Sequence, residues 1–156
     1  MNVEPINQSN IDIASIVFSE SWQYSHKEIV TQEFCLSFTP ERQRDALQQH
    51  ILRGHKCFVC FDNQKAVGVL ILDYDANELI SIYISPDSLH RGYGSQLITF
   101  ALDKLDSDRE IHLVVMNVNK NARKFYEKNG FQFRGKTKIL SAEKGLSEIV
   151  YVYQGV

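Results

Sequence analysis

Hydrophobic positions change period along this chain, and the changes mark its elements. Val3 to Ile6 reads as a short strand, and Ser9 is placed to cap a helix whose Ile13, Ile16 and Val17 recur at spacings of three and four. A second helical region is expected near Glu28 to Phe34. Thr39-Pro40-Glu41 has the form of an N-cap followed by proline at the first helical position, opening a helix through Leu47 and Ile51 that Gly54 closes. From Lys56 the period becomes that of strands. CFVCF, the polar stretch Asp62 to Lys65 and AVGVLILD predict a hairpin with a four-residue turn, whose second strand is apolar on both faces and hence central.

Glu78 to Ile84 predicts a third strand of this series, stopped at Ser85-Pro86. Gly92-Tyr93-Gly94-Ser95 then leads into a helix with one stripe of Leu97, Ile98, Ala101, Leu102 and Leu105. Ile111 to Met116 is the next strand, a helix from Asn119 to Asn129 stops at Gly130, and two strands follow near Phe131 to Arg134 and Glu148 to Tyr153. Only the strands joined by the helix after Gly94 must run parallel, because a helical crossover returns the chain in the same direction. The expected fold class is therefore α/β (α+β): a mixed, mostly antiparallel sheet of about six to seven strands flanked by helices. A ligand is expected where the parallel crossover places a strand end beside a helix N-terminus.

Composition narrows the function. At 156 residues the chain suits a single domain over 1–156. With 17 Lys+Arg against 19 Asp+Glu the net charge is −2, which argues against a general grip on nucleic acid. The opening MNVEPINQSN has no apolar core of a signal segment, and Val67 to Leu72, the longest apolar stretch, is too short for a bilayer, so a cytoplasmic protein with no membrane partner is expected. The three cysteines form no even disulfide framework. Cys57 and Cys60 make a C-x-x-C inside a strand, where residues three apart point to opposite faces, so strand packing is expected there and no metal.

Two segments carry chemistry. In His90-Arg91-Gly92-Tyr93-Gly94-Ser95, glycines at a strand-to-helix junction let backbone N–H groups turn toward an anion, with the helix dipole adding attraction; the plain alternative is a tight turn. A dinucleotide fingerprint fails because Leu97 stands where its third glycine belongs, and a P-loop fails for want of G-K-[ST]. In the second segment, Asn119 to Phe131, Ala122 and Tyr126 share a helix face with Asn119 one turn earlier. Read plainly, Asn119 is a cap and Tyr126 a core aromatic.

Taken together, ELISIYISPDSLHRGYGSQL and NKNARKFYEKNGF resemble the GCN5-related N-acetyltransferases, the GNAT superfamily, which move an acetyl group from acetyl-CoA to an amine. The resemblance implies a GNAT-like sheet with acetyl-CoA as cosubstrate and no metal. It implies that the backbone of Ile82, Tyr83 and Ile84 pairs with the pantetheine arm, that His90, Arg91, Gly92, Tyr93, Gly94 and Ser95 hold the pyrophosphate, that Asn119 bonds the cysteamine end, and that Tyr126 sits near the thioester sulfur. Leu89 stands where the family's phosphate motif begins with Gln or Arg, which removes one polar contact and leaves the backbone cradle.

The resemblance also implies direct transfer, with Tyr126 as acid for the departing thiolate and Glu78 as base. A lysine-like amine with pKa near 10.4 is about 4.6 kcal/mol from its free form at pH 7, so its proton must be removed. Glu78 matches, in its spacing to Gly92 and Gly94, the base of the histone-acetylating branch; the alternatives are a solvated residue opening a strand and a chain of waters. The base position of the branch that acetylates ribosomal-protein N-termini holds Val114 here. The acceptor is a primary amine of a small molecule or peptide, and a homodimer is possible within the family. Two other classes remain: a non-catalytic acetyl-CoA-binding regulatory module of the same fold, and an interaction domain with no CoA site.

Overall fold

A computed structural model describes residues 1–155, apart from the side chains at 136 and 137. The elements in chain order are β1 (Asn2–Pro5), α1 (Ile11–His26), α2 (Gln32–Leu36), α3 (Pro40–Leu52), β2 (Lys56–Asp62), β3 (Lys65–Asp73), β4 (Glu78–Ile84), α4 (Tyr93–Lys104), β5 (His112–Met116), α5 (Lys120–Lys128), β6 (Phe131–Ser141) and β7 (Leu146–Tyr153). The strands form one sheet in the order β1-β2-β3-β4-β5-β7-β6. Every neighbouring pair is antiparallel except β4 and β5. The expected mixed sheet with its one parallel pair is present.

Each face of the sheet is covered. Ile11, Ala14, Val17 and Phe18 of α1 and Leu47 of α3 pack on Cys57, Val59, Val69 and Ile71. On the opposite face, Leu97, Ile98 and Ala101 of α4 and Tyr126 of α5 pack on Leu70, Leu72, Leu79, Leu113 and Tyr151. Both faces of β3 are buried, as its unbroken apolar run requires. Cys57 and Cys60 fall on opposite faces, and burial pushes their thiols up to about 12 and about 11, so both are packing residues.

Several local expectations are corrected. Ser9 does not cap α1: Asn10 occupies that place, and its Oδ1 accepts the backbone N–H of Asn7 instead of a helical one. Ile13 and Ile16 face solvent at 42% and 40% exposure, because the sheet takes the Ile11–Ala14–Phe18 stripe of a helix that is apolar around much of its circumference. The helical region placed at Glu28 to Phe34 forms later, at Gln32–Leu36, where the Thr31 side chain caps Phe34. The β2–β3 turn is two residues, Asn63-Gln64, since Asp62 pairs with Lys65 and Asn63 takes a positive φ of 55°. β6 runs on to Ser141 and β7 starts at Leu146, longer than their apolar cores, because their backbones keep pairing where the side chains have left the core. By contrast, Thr39 accepts the N–H of Arg42 ahead of Pro40 as its sequence requires.

Candidate active site

The parallel pair is barely a pair. β4 and β5 share a single register partner, Glu78 with His112, after which the strands separate. β4 stays bound to β3 on its other side, with Ile82, Tyr83 and Ile84 opposite Leu70, Val69 and Gly68. In a strand, backbone N–H and C=O groups alternate between its two edges. The β5-facing edge from Leu79 to Ile84 therefore offers polar groups with no strand to receive them, inside the sheet and not at its rim. An irregularity adds to this: Leu72 pairs with Leu79 and Ile71 with Ser81, so Ile80 has no register partner.

Asn77 holds the closed end of the gap. It is 1% exposed with φ 55°, its Nδ2 donates to the carbonyl oxygens of Asp106, Glu110 and Arg109 at 2.9, 3.1 and 3.3 Å, and its Oδ1 accepts the Asp106 N–H at 2.8 Å. Its own carbonyl accepts the N–H of His112 at 3.4 Å. One side chain thus ties the start of β4 to the segment leading into β5, and among the described residues no register pair joins the strands beyond Glu78 and His112.

At the open end, α4 begins. Gly92 is its N-cap with φ 84°, a left-handed conformation that glycine adopts without strain, and no side chain caps the helix. Gln96 N–H reaches back to the Gly92 carbonyl, while the N–H groups of Tyr93, Gly94 and Ser95 find no acceptor among the described residues. His90, with φ 62°, and Arg91 are exposed beside them, and the Arg91 guanidinium adds positive charge. A Cβ on Gly94 would stand 2.9 Å from Phe125 Cε2, so the junction and α5 approach as closely as glycine allows. The Tyr93 hydroxyl turns away and hydrogen-bonds the carboxylate of Asp62. Tyr93 therefore offers this end its backbone, with its side chain anchoring the β2–β3 hairpin.

α5 contributes the opposite wall. The Oδ1 of Asn119 accepts the Ala122 N–H at 3.2 Å, so the cap role is realised and only the amide Nδ2 is left to donate elsewhere. Tyr126 is 9% exposed and burial holds its phenol above the ordinary value. Its hydroxyl has no hydrogen-bond partner among the described residues and is not one of the fully enclosed unpartnered polar atoms, so it borders a space. Tyr83 lies close enough that a negative charge there would further oppose ionisation of Tyr126.

Ile82, Tyr83 and Ile84 lie along the β4 strand that leaves β5, and Ile82 and Ile84 pack in one cluster with Tyr126. The Gly92–Ser95 turn follows that strand, Asn119 caps α5 after β5, and Glu78 stands at the closed end of the gap. Two contributors carried no sequence signal. His112 is a neighbour of Glu78 only through the β4–β5 register. The Tyr83 ring, expected to matter for its backbone, reaches the other face, 5.5 Å from Phe18 and 6.4 Å from His26 between ring centres. Beyond it stand His26, Trp22 and Phe38, stacked at 4.0 and 3.5 Å. Asp73, close to Glu78 on the neighbouring strand, accepts the N–H groups of Asp75 and Ala76 and closes a turn.

Residues 18–131 match the Acetyltransferase (GNAT) family, and the chain belongs to it. Among solved structures it is similar to the PaiA N-acetyltransferase of Thermoplasma acidophilum in complex with coenzyme A, at 22% identity and TM-score 0.80 over 98% of this chain and 99% of that one. It is also similar to an acetyltransferase of Thermus thermophilus, at 24% identity and TM-score 0.75 over 97% and 94%. A variant of the spermidine N-acetyltransferase SpeG of Vibrio cholerae aligns at 19% identity and TM-score 0.67 over 98% and 94%. No curated protein is a significant match in sequence.

Proposed function

We propose that this protein is an acetyl-CoA-dependent N-acetyltransferase acting on a primary amine of a small molecule or peptide. The observation that carries the reading is the β4 edge left unpaired beyond Glu78, ending at the uncapped N-terminus of α4. An extended chain with amide groups would complete that edge as a strand does, and a pyrophosphate at its end would meet the free N–H groups of Tyr93, Gly94 and Ser95 and the helix dipole. The residues present fit acetyl-CoA: extended backbone for the amides, glycine where the anion must approach, Arg91 for its charge and His90 beside it.

When bound, acetyl-CoA supplies a thioester whose carbonyl carbon accepts the amine. The chain's own part is to prepare the partners. Glu78 faces the α1–α3 side of the sheet, opposite in sense to Leu79, and takes a proton from the incoming ammonium. Unpaired N–H groups of β4 lie where a developing oxyanion can be bonded. Tyr126, kept protonated by burial, gives its proton to the departing thiolate in a concerted step. The three cysteines are buried and need form no covalent intermediate.

The test is thiol release from acetyl-CoA with a panel of lysine, a peptide N-terminus, spermidine and an aminoglycoside, alongside calorimetry of acetyl-CoA binding. Turnover with any amine supports the proposal. Tight binding with no turnover on any amine would make the protein a CoA-binding regulatory module, and absence of binding would leave an interaction domain.

A further inference from the structure

The closed end of the gap carries more than a carboxylate. Glu78 and His112 are direct register partners, with Glu78 Oε2 3.8 Å from His112 Nε2. Both side chains are partly enclosed, 24% and 29% exposed. The neighbours Leu79 and Leu113 belong to the α4–α5 face, so by strand alternation Glu78 and His112 both project to the α1–α3 face, where Ile80 and Tyr83 also lie. This is the face on which no part of the α4–α5 wall stands, and hence the side from which an acceptor amine can reach the gap.

We propose that Glu78 and His112 act as a dyad, in which Glu78 meets the acceptor ammonium and His112 holds the proton that Glu78 removes. This rests on the acetyltransfer reading above and adds the place where the proton is kept. An N–H bond of the ammonium breaks, its electron pair stays on nitrogen for attack on the thioester, and the proton passes through a Glu78 oxygen to the lone pair of His112 Nε2. The pair goes from carboxylate and neutral imidazole to carboxylate and imidazolium. Charge balances, since the dyad gains the one positive charge that the ammonium loses. The direction follows from intrinsic basicity: a free imidazole titrates near 6.5 and a free carboxylate near 4.3, so a proton shared between them rests on the ring. Glu78 is then ionised again and holds the imidazolium by its charge. A carboxylate alone would release the proton only to water, and as the weaker base would drive amine deprotonation less.

His112 acts through Glu78 and is a positioning residue, and its surroundings define what else titrates nearby. On β3, Asp73 is the register partner of Glu78 on its other side. Asp73 Oδ2 is 3.5 Å from His55 Nε2, and His55 Nδ1 is 2.8 Å from His50 Nδ1 at the end of α3, near Arg53. Ahead of β5, Glu110 is ion-paired with Arg134 and lies near enough to sense a charge on His112. On β7 the register partner of His112 is Val152, which carries no charge. Glu78 and Asp73 thus stand side by side across the β3–β4 register.

The experiment pairs a titration with a rate profile. The His112 ring is followed by nitrogen-proton correlation spectra against pH in the wild type and in Glu78→Gln, with no substrate present. The kcat/KM for acetyl-CoA with spermidine as probe amine is measured from pH 5 to 9 for wild type, His112→Gln and His112→Asn. The dyad predicts that Glu78→Gln moves the ring titration to lower pH. It predicts too that His112→Gln moves the acidic limb of kcat/KM down by about two units, with a rate at pH 8 about tenfold lower. A ring titration unchanged by Glu78→Gln, or an acidic limb and a rate unmoved in both His112 variants, overturns it. The ring titration needs no turnover, so failure of the wild type to acetylate any amine strikes the acetyltransfer reading separately.

Discussion

Tyr83 and Tyr126 belong to the packing on opposite faces of the sheet. Tyr83 packs with Phe18 on the α1 side, Tyr126 belongs to the α4–α5 core, and yet a charge on the first is felt by the second. In a continuous sheet the backbone of an intervening strand would separate such rings. Burial secures the proton of the Tyr126 phenol, and a charge on Tyr83 would secure it further.

Tyr126→Phe should keep acetyl-CoA affinity and lower kcat about 100-fold, the usual scale for losing a general acid. Thermal stability should stay close to the wild type, because the hydroxyl makes no hydrogen bond among the described residues. Steady-state kinetics with a melting curve on the same sample checks both halves. A kcat within twofold of wild type, with chemistry rate-limiting, would make Tyr126 a packing residue alone.

Gly94→Val should abolish the rise in melting temperature that acetyl-CoA gives the wild type, while costing the free protein only about 1 kcal/mol. The added carbon meets the far edge of the Phe125 ring, which can turn aside, so the fold survives; the branched side chain still narrows the approach to the free N–H groups. Calorimetry decides this, and unchanged affinity in a folded Gly94→Val removes the anion site from the α4 N-terminus.

Asn77→Ala should destabilise by about 3 kcal/mol, measured by urea unfolding, since it removes the hydrogen bonds of a buried side chain to Asp106, Arg109 and Glu110 and leaves a non-glycine residue at positive φ. Asn77→Gly relieves the second penalty only, so it should recover about 1 kcal/mol and no more. Recovery to wild-type stability would show that the conformation, not the clamp, is what Asn77 supplies.

Acidification should weaken the fold through His26. Burial, 7% exposure against the stacked Trp22 ring, lowers its affinity for a proton below that of a free imidazole. On acidification the unfolded chain therefore takes up the proton first, near pH 6.5, and stability falls as pH drops from there toward the folded value. His50, lowered by burial and then by His55 and Arg53, adds in the same direction. His26→Gln should flatten the pH dependence of the urea midpoint between pH 7.5 and 5.5. An unchanged slope would place the titration elsewhere.

Much of this protein follows from its sequence because local physics decides it. Thr39-Pro40 can only open a helix, the run of β3 can only be covered on both faces, and Gly92-Tyr93-Gly94 at a strand-to-helix junction leaves N–H groups without acceptors whatever surrounds it. Glu78 to Ile84 was bounded to the residue by Asn77 before it and Pro86 after it. Choices between equivalent local options were made by tertiary structure. Ile13 and Ile16 were as fit for the core as Ala14 and Phe18, and the sheet took the latter. Where β4 and β5 stop pairing is written in no periodicity, since strand propensity is the same on both sides of the gap. It depends on the Asn77 clamp, 29 to 33 residues from the carbonyls it binds. That separation is also why His112 carries no motif: its relation to Glu78 spans a helix and two loops, and it exists only once the register is set.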